Sequence, residues 1–403
     1  MGEIVVHYVW LGILLFFVAF MIVWTIFPTV MRMARVWKFY DCPDERKLQR
    51  RPVPVLGGVA VYFGIAIGFL IICSISFNMK TILALIAMAV LLTVGIIDDK
   101  RGLPVSLRFV IEAGVISGMI LLNGNMIDHF HGLFGIEEIP PLAAFPLSVL
   151  AGVGIINSIN LIDGVDGYSS GFMATACILL AVIFYEAMIP GMAIMCLICT
   201  GAILPFFIHN VFGRRTKMYI GDGGTLMMGT LMTAFVFSVL RKESMCGSLE
   251  EHGIGLVPAC IAILAIPMAD TIRVMITRMV RGRSPFHPDK THLHHLFIDF
   301  GFSHVGTTAI CLLLNLMVVL SQILVWSSGA GIDVQMMTVC CVGLALTFGL
   351  YPYLRHHQSR HTPLARFMRR LGDKSHFEHT VFWRWMRKLT DDDLFSEGYD
   401  ERA

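Results

Sequence analysis

Long apolar runs separated by short polar stretches dominate this chain. A helix needs about 20 mainly apolar residues to cross a bilayer. Eleven segments approach or exceed that length: 8–31, 54–77, 81–97, 106–123, 142–159, 168–188, 190–208, 223–240, 254–277, 305–326 and 334–353. The pattern predicts an all-α polytopic integral membrane protein, with a membrane-embedded unit over 1–353 and a basic, aromatic tail over 354–403. Met1 to Val6 carries only Glu3 and no cationic stretch, so the first apolar segment is expected to stay as a membrane helix rather than be cleaved.

Composition agrees with this pattern. Of 403 residues, 56% are hydrophobic and 15% charged, against about half and a quarter in soluble domains. The mean hydropathy is +0.72. With 31 Lys+Arg against 29 Asp+Glu, the formal charge is +2, which gives no electrostatic case for a nucleic-acid partner. A secreted disulfide scaffold and a disordered hub are excluded as well. Cys73, Cys177, Cys260, Cys311, Cys340 and Cys341 lie in apolar runs, where a thiol behaves as a small hydrophobe. Cys196 and Cys199 have CxxC spacing but no second ligand pair, so neither zinc nor redox chemistry is assigned to them.

The distribution of charge sets the orientation. Cytoplasmic loops of membrane proteins carry an excess of Lys and Arg. With the N-terminus outside, 28 of the 31 cations fall on one side of the membrane, leaving Lys80, Arg241 and Lys242 on the other. The C-terminus is then cytoplasmic, and the tail has the composition of a segment that lies along an anionic leaflet or is simply solvated.

The polar chemistry gathers on that cytoplasmic side. The third span ends in Asp98-Asp99, adjacent carboxylates that repel each other unless a cation or a proton joins them. The fifth ends in Asn160-Leu-Ile-Asp163-Gly164-Val-Asp166-Gly167, where spacings of three stack the polar oxygens on one face of any helical turn. Arg214, Arg215 and Lys217 precede Gly221-Asp222-Gly223-Gly224, a turn that offers backbone N–H groups to an anion and a carboxylate to a hard cation. After the ninth span, Arg278, Arg281, Arg283 and Lys290 surround His292-Leu-His294-His295, a set of donors suited to a diphosphate. Zinc on these histidines is weighed and set below Mg²⁺, because the other clusters are oxygen-rich. The first loop adds Lys47 and the pair Gly57-Gly58. No nucleophilic Ser or Cys stands beside a base. Metal-assisted phosphoryl transfer between a soluble diphosphate and a lipid fits this inventory. A transporter would place its ionisable groups near the bilayer midplane or in broken helices, whereas here the middles of the spans are nearly bare; Glu112, Glu186 and Asp270 are the exceptions, all nearer the span ends.

These motifs resemble the polyprenyl-phosphate N-acetylhexosamine-1-phosphate transferase family. Asp98-Asp99, the 160–167 segment, the 221–224 glycine turn and the 292–295 histidines occur in the family's order, with Ser284-Pro-Phe and Pro288-Asp-Lys before the histidines. The H-x-H-H arrangement and Arg-Arg-x-Lys look most like the WecA-type branch. The resemblance implies transfer of GlcNAc-1-phosphate from UDP-GlcNAc to undecaprenyl phosphate with release of UMP, the lipid-linked first step of cell-surface polysaccharide synthesis at the cell (inner) membrane. UDP-GalNAc and UDP-FucNAc are the alternative donors, and a homodimer is left open. The resemblance further implies Mg²⁺, or Mn²⁺, held with the help of Asp222 and Asn160. Asp98 and Asp99 would orient or deprotonate the lipid phosphate, and Asp163 and Asp166 would line the nucleotide site. Lys47, Arg278, Arg281, Arg283 and the catalytic histidines His292, His294 and His295 would grip the diphosphate and sugar. Two departures stand out: Gly102 replaces an acid found in some relatives, and Gly-Asp-Gly-Gly-Thr replaces Gly-Asp-Ala-Gly-Ser, a change expected to be tolerated.

Overall fold

The computed structural model describes residues 2–41, 52–75, 78–242, 246–287 and 289–391. Lys47 falls outside them. Eleven helices among the described residues are long and apolar enough to span a membrane, which makes this a multi-pass membrane protein. They are α1 (Gly2–Val36), α2 (Gly57–Ile75), α3 (Met79–Arg101), α4 (Val105–Asn123), α5 (Pro141–Leu161), α6 (Tyr168–Glu186), α7 (Pro190–Phe212), α8 (Gly221–Leu240), then, after the short α9 (Gly247–Glu251), α10 (Leu256–Val280). The short α11 (Leu293–Asp299) precedes α12 (His304–Ser327). The eleventh span is composite: α13 (Ile332–Leu344) passes through a π-helical turn, Ala345–Gly349, into α14 (Leu350–Ser359). Two tail helices follow, α15 (Pro363–Lys374) and α16 (Val381–Asp391). The expected division at 353/354 thus falls inside α14, and the membrane unit runs into the tail without a linker.

Helix faces follow from the apolar spacing. On α1, Leu15, Ala19, Val23, Phe27 and Met31 recur every four residues and are buried, while Trp10, Leu14, Phe17 and Met21 are exposed. Such a stripe would be a liability in water; toward lipid it is the required surface. Helix α8 is apolar on all sides and is buried along nearly its whole length, packed between α2, α3 and α5.

Lipid removes the hydrophobic drive between helices, so close backbone approach does the holding. Gly58 of α2 and Gly95 of α3 lie directly against Gly223 and Gly224 of α8, with no room for a Cβ. Backbone groups freed within the spans must also find partners. Pro267 inside α10 has no N–H to donate, which frees the Ile263 carbonyl. Asn315 of α12 fills the gap, donating from Nδ2 to Ile263 O (2.9 Å) and accepting from Ile266 N (3.0 Å). Of the three acids within the spans, Glu112 and Asp270 are buried and ion-paired, and Glu186 is exposed.

Candidate active site

Helices α3, α5, α7 and α10 end, and α2, α4, α6 and α8 begin, at one end of the bundle. There the first loop forms a two-residue ladder, β1 (Tyr40–Asp41) with β2 (Val53–Pro54). The ladder continues onto the segment before α8: Tyr219 N donates to Pro54 O (2.8 Å), Gly57 N to Tyr219 O (2.9 Å) and Gly58 N to Ile220 O (3.0 Å). The chain then turns at Gly221, whose φ of +75° is left-handed. Glycine is required here twice over, because a Cβ would also meet Asp99 Oδ2 at 2.5 Å.

A cavity of about 440 Å³ opens among these loops, within the range of small-molecule sites. Five carboxylates line it, Asp41, Asp99, Asp163, Asp166 and Asp222, together with Asn160, Asn210, Tyr219, His295 and His304. The structure therefore brings together the candidate residues Asp99, Asn160, Asp163, Asp166, Asp222 and His295, which lie up to about two hundred residues apart in sequence.

Each carboxylate is held differently. Asp99 Oδ1 accepts from the Asp222 backbone N–H at 3.2 Å. Asp222 Oδ1 accepts from Asn160 Nδ2 (2.8 Å), which also donates to Thr225 Oγ1 (2.8 Å). Asn160, expected as a metal ligand, thus turns its amide nitrogen to Asp222 and orients that carboxylate. Asp98 faces away from the cavity, accepting from Leu103 N (2.6 Å) and Arg108 Nη1 (3.2 Å). Arg108 joins the acids across helices: Nη1 lies 3.9 Å from Asp222 Oδ2, Nε 3.5 Å from Glu112, and Nη2 donates to Asn157 Oδ1 (3.3 Å).

Asp163 opens onto the cavity and accepts from Ser169 Oγ. Desolvation by the surrounding loops, reinforced by the Asp222 and Asp166 carboxylates, pushes its carboxyl up to about 7 against the Ser169 hydrogen bond. Asp166 is the opposite case. Burial raises it, but His304 (Nδ1 at 2.8 Å) and Lys217 (Nζ at 2.6 Å) hold it below the usual carboxylate range.

The histidine cluster divides into roles that spacing does not reveal. His292 is buried and its Nδ1 meets Asp270 Oδ2 at 2.9 Å. Arg273 completes this buried set, at 2.6 Å from Asp270, with its guanidinium 3.8 Å over the Tyr351 ring. His294 stacks on His292 and packs beneath Gly164, where a Cβ would strike its ring. His295 alone of the three lines the cavity. Burial pushes His294 well below, and His295 down to about 4, so both imidazoles are neutral near pH 7.

The cations at the end of α10 and just beyond it also stay off the cavity wall. Arg278 is buried in a bidentate pair with Asp289 (2.8 and 3.1 Å) and donates to Pro285 O (2.8 Å). Burial opposes the Asp289 charge, but these bonds and Thr291 hold its carboxyl down to about 2. Arg281 and Arg283 are exposed on the following turn. Sequence reasoning missed Asp41, Asn210, Tyr219, His304 and the linking role of Arg108. Only Arg108 carried a signal, as a lone cation in the first turn of an apolar span and four residues before Glu112, an (i, i+4) pair.

The fold and the site define a multi-pass membrane enzyme with an acidic cavity at one end of its spans. Residues 81–240 match the glycosyl transferase family 4. The undecaprenyl-phosphate alpha-N-acetylglucosaminyl 1-phosphate transferase of Escherichia coli K12 is 31% identical over 276 residues, covering 68% of this chain and 72% of that protein. The probable undecaprenyl-phosphate N-acetylglucosaminyl 1-phosphate transferase of Bacillus subtilis 168 is 30% identical over 314 residues, 78% and 84% of the two chains. A Yersinia pestis relative of the same name as the E. coli protein is 29% identical over 267 residues, 65% and 70%. This chain belongs to the glycosyl transferase family 4 and is a sugar-phosphate transferase.

Proposed function

We propose that the protein transfers GlcNAc-1-phosphate from UDP-GlcNAc to undecaprenyl phosphate, giving undecaprenyl-diphosphate-GlcNAc and UMP, with the cavity facing the cytoplasm across the cell (inner) membrane. The observation that carries this reading is the convergence of Asp99, Asn160, Asp163, Asp166 and Asp222 on one cavity at the membrane end of the bundle. The names of the E. coli and B. subtilis relatives support the donor and the acceptor. The 28 to 3 division of cations supports the sidedness.

Five carboxylates around a site for a diphosphate favour a cation between them. The donors are oxygens without thiols, which suits Mg²⁺, or Mn²⁺, over zinc. Among the described residues no three His, Cys, Asp or Glu side chains close into a ready-made cage, and Mg²⁺ characteristically takes one or two carboxylates with substrate phosphates and water. Asp222, oriented by Asn160, would hold it together with substrate phosphates and water, and when bound it would screen the diphosphate oxyanions.

The chain's own groups supply the rest. A phosphate oxygen of the lipid attacks the sugar-bearing phosphorus of the donor, the bond between the two donor phosphates breaks, and UMP leaves with its electron pair. Asp99, on the cavity wall, orients the lipid phosphate and takes a proton from its monoanion, while Asp98 fixes Arg108 at the rear of the acids. Asp163, Asp166 and His304 shape the nucleotide side, and neutral His295 donates a hydrogen bond to the substrate. Release of UMP by the purified protein from undecaprenyl phosphate and a panel of UDP-sugars tests the proposal. UDP-GlcNAc should be the preferred donor, EDTA should stop turnover, and Asp222→Ala should be folded and inactive. Full turnover in EDTA, or no UMP with any donor, would reject it.

A further inference from the structure

Among the described residues of the C-terminal tail, Asp391 meets the turn that leads into the site. Helix α16 packs on the end of α7, its Trp383 ring 4.7 Å from Phe212, and its last residue, Asp391, meets the turn after α7. Asp391 Oδ1 accepts from Arg215 N (3.1 Å), Thr216 N (3.2 Å) and Thr216 Oγ1 (3.0 Å), and Oδ2 accepts from Arg214 N (3.1 Å). Three consecutive N–H groups converging on one anion form a backbone nest, here filled from within the chain. On the far side of the turn, Thr216 Oγ1 also meets His209 Nδ1 (3.1 Å).

The next residues are the cavity wall. Lys217 pairs with Asp166 at 2.6 Å, Met218 O accepts from Asn210 Nδ2 (3.0 Å), and Asn210 Oδ1 accepts from Gly167 N (2.7 Å). Only one peptide unit separates the nest from the lysine that fixes Asp166. A second cavity of about 750 Å³, between tail and bundle, shares Asp166, Tyr219 and His304 with the active-site cavity.

We propose that Asp391 is a positioning residue for the nucleotide-sugar side of the site, acting through the 214–216 turn on Lys217 and Asp166. This rests on the transferase reading given above. The contact lies outside the eleven spans: without it the N–H groups of the exposed Arg214 and Arg215 turn to water, and the buried Thr216 keeps its hydroxyl contact with His209. What is lost is the fixed start of the 217–222 segment, and with it the register of Lys217 against Asp166. The lipid phosphate side, held by α3 against α8, is untouched.

The test compares full-length purified wild type with Asp391→Ala, Asp391→Asn and, as an exposed tail control, Asp373→Ala. Asp391→Ala should raise the KM for UDP-GlcNAc by roughly tenfold, a size that residues sharing one hydrogen-bond network transmit to each other. Its kcat, its KM for undecaprenyl phosphate and its melting temperature should stay near wild type, and deuterium uptake should rise at 214–219. Asp391→Asn keeps the accepting Oδ1 but loses the charge and the second acceptor, so a smaller rise in the same KM is expected, while Asp373→Ala should behave as wild type. An unchanged UDP-GlcNAc KM in Asp391→Ala, damage to both substrates with a fall in melting temperature, or Asp391→Asn as impaired as Asp391→Ala would each overturn the proposal. If Asp391→Ala does not purify folded, Thr216→Val takes its place, with a smaller rise in the same KM expected and no rise overturning. Absence of UMP release by wild type would refute the transferase reading instead, and deuterium uptake at 214–219 would still test the positioning role.

Discussion

Gly95→Ala is a sharp test of how the site is held. A Cβ on Gly95 would lie closer than 3.0 Å to Gly223 N, Gly223 Cα and the Asp222 carbonyl carbon, all backbone atoms of α8. None of them can rotate aside. Restoring ordinary carbon contact requires α3 and α8 to part by about 1 Å, which costs about 1–3 kcal/mol as overpacking does elsewhere. The same displacement carries Asp222 N away from Asp99 Oδ1, now at 3.2 Å, to about 4 Å, beyond hydrogen-bonding reach. Misplacing reacting groups by about 1 Å lowers turnover by about a hundredfold. The variant should therefore insert and purify, melt several degrees lower, and show kcat for UMP release reduced about a hundredfold. Gly223→Ala is the graded comparison, because its Cβ meets Leu92 O at 2.8 Å and Ile96 Cγ1 at 3.0 Å and a smaller shift suffices. Gly114→Ala, with nothing within 4 Å, should behave as wild type. A Gly95→Ala enzyme with kcat within about threefold of wild type and an unchanged melting temperature would refute the reasoning, since such a change is what surface substitutions show.

Three further outcomes are expected. Arg108→Met strands the buried Glu112 and should destabilise by about 3–5 kcal/mol as well as abolish activity. Arg108→Met/Glu112→Gln should recover the melting temperature but not the turnover, and a double variant no more stable than the single one contradicts the pairing. With Asp163 pushed up to about 7, its carboxyl is protonated below that pH and ionised above, so kcat/KM should fall as the medium is acidified through about 7; Asp163→Asn should lack that limb, and an identical limb in the variant counts against Asp163. A cysteine at Glu251 should react with an impermeant maleimide in intact cells and one at Ser284 should not, both positions being exposed; the reverse labelling overturns the orientation.

The spans and the carboxylates were legible in the sequence for the same reason: bilayer thickness forces long apolar runs, and any acid at their ends stands out. Asp99, Asn160, Asp163, Asp166 and Asp222 converge as their motifs suggest. The histidines and arginines near 280 were not separable, because a one-dimensional cluster does not say which ring faces a ligand. Asp270 decides it for His292 from within α10, and Asp289 decides it for Arg278, each by a contact between separate segments. Asp41, Asn210 and Tyr219 were invisible for a related reason. They sit in ordinary juxtamembrane sequence; the pairing of the first loop with the segment before α8 brings Asp41 and Tyr219 to the cavity, and Asn210 reaches it from the end of α7, held by Met218 O and Gly167 N.

The central place of α8 has a consequence for how the protein is made. The most enclosed span is the eighth to leave the ribosome, so the seven before it must enter the membrane around a slot that is not yet filled. Asp99 precedes its partner Asp222 by 123 residues, and at about 5–20 residues per second that is roughly 6–25 s of synthesis. Throughout that interval the glycine face of α3 has no glycine face to meet. Lipid or an insertion factor must hold the slot open, and the five carboxylates of the cavity come together only when α8 arrives, before His295 and His304 complete the wall.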